Sequence, residues 1–155
     1  SDTIVVMNQG YIQQIGTPED IYNEPQNAFV ADFIGESNII GSTMVEDRLV
    51  DILGTRFVCV DEGFGNNQPV DVVIRPEDIV LTEPSKGIIK GRVTSAIFKG
   101  VHYEMEVQAA GFEWLVHSTV LKEPGSEVGI WVDPFNIQIM HKPESEDEKQ
   151  EQYED

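Results

Sequence analysis

The chain has 155 residues, of which 28 are acidic and 10 are basic, and its formal net charge is −18. This excess of acids argues against a nucleic-acid partner and against an anionic membrane surface, because both need clustered lysines and arginines. The sequence contains no run of about 20 apolar residues that could span a membrane, and its single cysteine excludes an internal disulfide.

The chain opens with a hairpin pattern. Apolar residues dominate 3–7 and 11–15, and the turn sequence Asn8-Gln9-Gly10 separates the two runs. A hairpin that lacks the rest of its sheet exposes apolar side chains, which favours association with another surface. We therefore predict a homodimer or another hairpin-mediated contact. The side chains predicted to be exposed are Ile4, Val6, Met7, Ile12 and Ile15.

Two short helices are predicted between the hairpin and Gly35. Thr17 is a favoured N-cap, and Pro18 suits the first helical position, where a helix leaves the N–H unpaired anyway. A second helix is predicted to begin after Asn27. Gly35 is a typical residue at which a helix stops.

Beyond Gly35 the pattern changes to short β-like runs separated by turns that contain glycine, proline, asparagine and aspartate. Many short strands at close spacing predict a mostly β fold, either a small antiparallel barrel or a sandwich. A sequence echo between 74–81 and 132–139 indicates two β lobes of one design, roughly 36–83 and 84–142. The predicted strands are 39–46, 48–53, 56–60, 70–74, 79–81, 88–98, 103–108, 112–117, 127–131 and 137–140.

The last residues, 143–155, form an acidic tail. Seven acids and one lysine lie between Glu144 and Asp155, and Tyr153 is the only apolar residue there. Such a segment cannot bury enough surface to offset its chain entropy, so we expect it to be disordered.

Several stretches resemble ABC-transporter ATPases. Residues 2–18, DTIVVMNQGYIQQIGTP, resemble the segment that follows the switch histidine, and 21–38 resemble its continuation in importers with a C-terminal regulatory domain. Within those importers the likeness is greatest to the spermidine/putrescine ATP-binding subunits. Ile74-Arg75-Pro76-Glu77-Asp78-Ile79 resembles the recurring Arg-Pro-Glu-Asp element of the transport-associated OB module. The likeness covers 2–142.

The resemblance implies a division of the chain and a function. Residues 1–35 would be the end of the ATPase core, and 36–142 an OB-like regulatory and dimerisation domain of a polyamine importer. The parent subunit would use MgATP, contact membrane permease subunits and lie at the cytoplasmic face of the membrane. Two alternatives stay open at this point: the same domain from an iron, maltose or sulfate importer, or a stand-alone OB-like binding module.

The sequence predicts no catalytic, cofactor-binding or metal-binding residues. No Gly-x-x-x-x-Gly-Lys phosphate loop occurs, so the chain itself is not expected to be an enzyme. His102, His117 and His141 lack the tight spacing of ordinary zinc motifs.

The Arg75-Pro76-Glu77-Asp78 element is the predicted structural or regulatory site. An arginine at a strand end can bind a carboxylate or a backbone carbonyl through its planar fork. We expect Arg75 to lock the turn through an ion pair with Glu77, Asp78 or a more distant acid. The alternative from the resemblance is a place near a subunit contact.

A polyamine-sensing site is a second hypothesis. Polyamines carry ammonium groups on an apolar chain, so a site for them needs acids and aromatic faces. The alternative is that both tryptophans belong to the core and the acids lie outside it. The candidate residues are Tyr103, Glu113, Trp114, Trp131 and Asp133.

Overall fold

The computed structural model describes residues 3–142 and shows a mostly β protein, as predicted. Every predicted strand is present to within a residue or two of its expected bounds. The described part contains two helices, α1 (Pro18–Asn23) and α2 (Ala28–Ile34). The strands are β1 (Ile4–Asn8), β2 (Tyr11–Gly16), β3 (Asn38–Glu46), β4 (Leu49–Ile52), β5 (Thr55–Val58), β6 (Gln68–Ile74), β7 (Ile79–Thr82), β8 (Ile89–Phe98), β9 (Tyr103–Ala109), β10 (Phe112–Ser118), β11 (Glu127–Val132) and β12 (Gln138–His141).

Two five-stranded antiparallel sheets form the body of the protein. The first sheet has the order β12-β6-β3-β4-β5, and the second has the order β10-β9-β8-β11-β7. Read in reverse, the second order is β7-β11-β8-β9-β10. Position by position, β8 to β11 then correspond to β3, β4, β5 and β6, and β7 corresponds to β12. Strands β3–β7 and β8–β12 are therefore equivalent repeats. The last strand of each repeat pairs in the other repeat's sheet. The predicted lobes 36–83 and 84–142 therefore each contain one repeat, and the two sheets exchange β7 and β12 across that boundary.

The sequence echo marks the two crossovers between the sheets. A single 3-10 turn, Pro76–Asp78, connects β6 to β7, and its counterpart Pro134–Asn136 connects β11 to β12. Each turn closes with the same backbone hydrogen bond, from Asp78 N–H to the Arg75 carbonyl and from Asn136 N–H to the Asp133 carbonyl. Proline fits the first position of both turns because its fixed φ suits a helical start and no donor is lost.

The main core lies between the two sheets. Trp114, Phe57, Met44 and Met105 are fully buried there together with aliphatic residues from both sheets. Strand β6 is buried along 70–74, which explains why its sequence is nearly continuous in apolar residues. One face of this strand meets the core, and Val73 on the other face packs against α2 through Ala28 and Ala31.

The hairpin and helices fold as predicted. The Thr17 side chain accepts a hydrogen bond from Asp20 N–H, and the Asn27 side chain accepts one from Val30 N–H. The hairpin turns through Gln9 and Gly10, whose φ values are 52° and 84°. In this left-handed region glycine carries no steric cost.

One prediction about the hairpin was wrong. Val6 is 1% exposed because it packs against Ile21 and Val30 of the two helices, and Ile4 is half-buried against the same cluster. The outward face of the hairpin does remain exposed. Its large apolar side chains are Val5, Met7, Ile12 and Ile15, which are 47–56% exposed.

None of the helices in residues 3–142 is long and apolar enough to cross a membrane. The tail predicted to be disordered, 143–155, lies outside the described residues.

Candidate functional site

Arg75 joins the helical segment to the β body. Its side chain is buried, with 6% of the residue exposed. One guanidinium nitrogen donates to the Ala31 carbonyl at 3.2 Å and to the Ser37 hydroxyl at 2.6 Å. The other donates to the Tyr22 carbonyl at 2.9 Å. A single cation therefore reaches backbone carbonyls of both α1 and α2 and the linker that follows them.

The chemistry of this junction suits arginine. The carbonyls of the last helical turns carry partial negative charge, which a cation stabilises. The guanidinium carbon also lies 4.5 Å from the centre of the Tyr22 ring, which is a cation–π contact. Lysine has no planar fork, so it would not reproduce the contacts that two separate guanidinium nitrogens make with the two helices. We name the set Tyr22, Ala31, Ser37 and Arg75 the Arg75 junction.

The ion pair predicted for Arg75 was wrong. Its partners are two carbonyls and a hydroxyl, because the helices occupy the space around the guanidinium. Glu77 instead accepts a 2.9 Å hydrogen bond from the Tyr22 hydroxyl, which, with burial, raises the pKa of Tyr22. Burial and the charge of Glu77 raise the pKa of Asp78, against the lowering influence of Arg75. Pro76, also buried, begins the crossover turn.

Asn38 fastens the same linker to the second sheet. Its side chain, 2% exposed, accepts a hydrogen bond from the Leu115 N–H at 2.7 Å and donates to the Leu115 carbonyl at 2.8 Å. It also donates to the Ile74 carbonyl at 3.3 Å. Residues 35–38 are thus held by Arg75 on one side and by β10 on the other.

A groove opens beside this linker at the end of the second sheet. It has a volume of about 630 Å³, and its lining includes Glu77, Leu81, His102, His117 and Val120. The rings of His102 and His117 stack with centres 4.5 Å apart.

Two carboxylates approach His117 from different elements. Its Nε2 lies 3.4 Å from Glu104 Oε1 and 3.6 Å from Glu36 Oε2. Burial would raise the pKa of Glu104, but the hydrogen bond with His117 and the charge of Lys99 outweigh it and lower that pKa.

The predicted polyamine-sensing residues occupy different surroundings. Trp114 is fully buried, and its indole N–H donates to the Ala109 carbonyl at 3.2 Å, so it is a core residue. Tyr103 packs on Phe98, with ring centres 5.1 Å apart.

The other three candidates do not complete an aromatic and acidic pocket with these two. Glu113 lies on β10 beside Glu106, and Trp131 is 38% exposed on β11. Asp133 accepts a hydrogen bond from Phe135 N–H in the second crossover. The sensing hypothesis stays a prediction.

Several residues that form the Arg75 junction and the His117 cluster were not predicted as site residues from the sequence. Tyr22, Ser37 and Asn38 act over long sequence separations that no local pattern reveals. The Glu104–His117 pair did leave a signal, because the two residues lie at equal distances from the Ala110-Gly111 turn and a two-residue turn fixes that register.

Comparison with known proteins finds a family model that matches part of the chain. The model of the TOBE domain matches residues 72–140. This segment, 69 of the 155 residues, is similar to the TOBE domain. The matched segment begins in β6 and includes both crossovers, so the Arg75 turn is part of this domain.

The curated relatives are ATP-binding proteins of importers, which confirms the resemblance found in the sequence. Each is named spermidine/putrescine import ATP-binding protein PotA. The relative from Acetivibrio thermocellus is 64% identical over 146 residues, which cover 94% of this chain and 42% of the relative. Those from Desulfitobacterium hafniense and Bacteroides thetaiotaomicron are 58% and 62% identical; the matches cover 92% of this chain and 41% and 31% of theirs. The chain thus spans less than half the length of these relatives.

A solved structure confirms the fold of the TOBE region. The cytoplasmic molybdate-binding protein ModG superimposes with a TM-score of 0.56, covering 68% of this chain and 96% of its own. At 18% identity the likeness is one of fold alone.

Proposed function

We propose that this chain is the regulatory region of the ATP-binding subunit of a spermidine/putrescine importer, and that the Arg75 junction couples its two parts. The observation that carries the proposal is the buried guanidinium that binds α1, α2 and the following linker together. Breaking this contact would leave a buried guanidinium without hydrogen-bond partners, which is energetically costly. The helices and the β body would therefore move together, and movement of the helices would be passed to the β body.

The names of the relatives support polyamines as the transported substrate, over iron, maltose or sulfate. Their agreement over 92–94% of the chain also favours an importer subunit over a stand-alone binding module. The permease partners, a second ATP-binding subunit and the cytoplasmic face of the membrane belong to the same proposal.

The described residues do not fit MgATP. A phosphate site needs free backbone N–H groups at a glycine-rich loop and helix start. In residues 3–142 the N-termini of α1 and α2 are already capped by Thr17 and Asn27. We therefore propose that this chain alone does not hydrolyse ATP, and phosphate release above a protein-free blank would contradict this.

The exposed apolar face of the hairpin supports a covering partner. Val5, Met7, Ile12 and Ile15 are exposed in this chain, which spans about two fifths of its Acetivibrio thermocellus relative. We propose that the part of the longer protein not spanned here covers this face. Association of the isolated chain into dimers through the hairpin is the competing outcome, and light scattering across a concentration series distinguishes the two.

Uptake of radiolabelled spermidine by cells that carry the full-length protein tests the coupling. Arg75→Lys should lower uptake severalfold at unchanged protein level, whereas Arg92→Lys, on the exposed surface of β8, should not. Unlabelled putrescine should compete with the label, and maltose or sulfate should not. Equal uptake by the Arg75 and Arg92 variants would contradict the coupling role, and lack of competition by putrescine would contradict the substrate.

A further inference from the structure

Three side chains with metal-binding atoms converge beside the linker between the helices and the β body. They are His117, Glu104 and Glu36, and one ligand atom from each lies within 4.8 Å of the other two. The spacing of the hairpin predicts the Glu104–His117 pair, but Glu36 comes from a distant segment and was not expected beside them.

The surrounding structure fixes the backbone segments that carry these three side chains. Glu104 and His117 are direct partners across β9 and β10. Glu36 lies two residues before Asn38, which is hydrogen-bonded to Leu115, two residues before His117. The stacked ring of His102 limits rotation of the His117 ring.

The two distances from His117 match those around a four-coordinate metal ion. Zinc bonds to histidine nitrogen and carboxylate oxygen of about 2.0–2.2 Å place tetrahedral ligand atoms roughly 3.3–3.5 Å apart. The His117 nitrogen lies 3.4 Å from Glu104 Oε1 and 3.6 Å from Glu36 Oε2, and the ligand atoms of the two carboxylates lie within 4.8 Å of each other. Glu36 is on the surface and can adjust.

The charges also suit a divalent cation. Ionised carboxylate oxygens within 4.8 Å of each other repel, and a cation between them offsets that repulsion. Lys99 is 3.6 Å from Glu104 Oε2, whereas His117 contacts the other carboxylate oxygen, Oε1. Lys99 therefore leaves Oε1 available to a metal ion. Imidazole together with carboxylates is typical of zinc and related transition metals rather than of magnesium or calcium.

We propose that Glu36, Glu104 and His117 form a binding site for a divalent transition-metal ion, with a fourth coordination position open to the groove. The metal fastens residue 36 to the second sheet and so stiffens the linker beside the Arg75 junction. The site stands on its own geometry and does not depend on the proposed transport function.

Titration of the whole chain with Zn²⁺ tests the site, with Co²⁺ absorption as a second readout because four-coordinate Co²⁺ has intense visible bands. The wild-type chain should bind one equivalent more tightly than any further ions. His117→Gln and Glu104→Gln should each weaken that binding at least tenfold. The matched controls are His141→Gln, whose ring packs on Phe64, and Glu46→Gln on the other sheet, and both should bind as the wild type does.

A further variant keeps the test decisive if a ligand substitution unfolds the chain. Lys99→Met removes the positive charge 3.6 Å from Glu104 Oε2, which repels a bound cation, and should tighten Zn²⁺ binding severalfold. The proposal is overturned if the wild type shows no saturable Zn²⁺ binding, if His117→Gln and His141→Gln bind alike, or if Lys99→Met weakens binding. Displacement of Zn²⁺ by equimolar spermidine would also overturn it, because the site would then be one for polyammonium ions.

Discussion

Arg75→Ala is the sharpest test of the junction. The substitution removes three donor contacts, to the Ala31 carbonyl, the Ser37 hydroxyl and the Tyr22 carbonyl, together with the cation–π contact. Hydrogen bonds from a charged donor contribute about 1.5–3 kcal/mol each. The sum is an upper bound, because burying the guanidinium has its own desolvation cost.

The upper bound on the stabilisation by Arg75 is lowered because one of its acceptors has a second hydrogen-bond donor. The Ala31 carbonyl also accepts the Gly35 N–H at 3.3 Å, so it keeps a partner after the substitution. The Tyr22 carbonyl loses its side-chain donor. We therefore expect docking of the helices to weaken by about 2–4 kcal/mol, which is at the upper end for single substitutions.

Amide hydrogen exchange is the appropriate assay, because it reports each segment separately. In the Arg75→Ala chain, protection of amides in α1 and α2 should fall roughly 30-fold to 1,000-fold, the ratio that corresponds to this energy. Amides of β8–β11 should keep their protection, because the core between the sheets is untouched. Arg92→Ala is the control, since Arg92 is exposed and only 3.5 Å from Glu127, and it should shift stability by about 0.5 kcal/mol or less.

Two results would refute the reasoning. If protection of the helices is the same in the Arg75→Ala and Arg92→Ala chains, the buried hydrogen bonds do not hold the helices. If the strands lose as much protection as the helices, Arg75 stabilises the whole fold and is not a junction between two parts.

Two further predictions concern packing and pH. Gly129→Ala should lower the free energy of unfolding by about 2 kcal/mol or more in a urea titration, because the new Cβ would lie 2.6 Å from the Glu83 carbonyl oxygen; Gly41→Ala, which meets only a lysine side-chain tip at 3.3 Å, is the control and should cost less. The raised pKa of Tyr22 contributes stability below its ordinary value of 10.0, and this is lost as the pH rises through the higher folded value. Stability measured from neutral to strongly alkaline pH should therefore fall less in Tyr22→Phe than in wild type, and identical profiles would contradict the Tyr22–Glu77 hydrogen bond.

Much of the fold was predictable because it depends on neighbours in sequence. Thr17 and Asn27 cap the helices through N–H groups three residues ahead, and a two-residue turn such as Ala110-Gly111 sets its own hairpin register. The Arg75-Pro76 and Asp133-Pro134 turns form alike because proline and the backbone bond across the turn act locally.

The candidate sites were less predictable, because their partners are distant in the chain. Burial of Val6 required two helices to fold against the hairpin. The sequence places acids beside Arg75, yet its partners are carbonyls that only the docked helices bring within reach.

The sequence by itself determined the turns, the caps, the strands and the resemblance to importer ATP-binding proteins. Only the tertiary structure decided that β7 and β12 pair in the sheet of the other repeat, and that Glu36 approaches Glu104 and His117. The physical reason is that the alternation of apolar and polar residues along a strand shows which face is buried. It does not show which sheet the strand joins or which sheet packs against it. A polar side chain takes whichever partner the packed fold places within hydrogen-bonding distance.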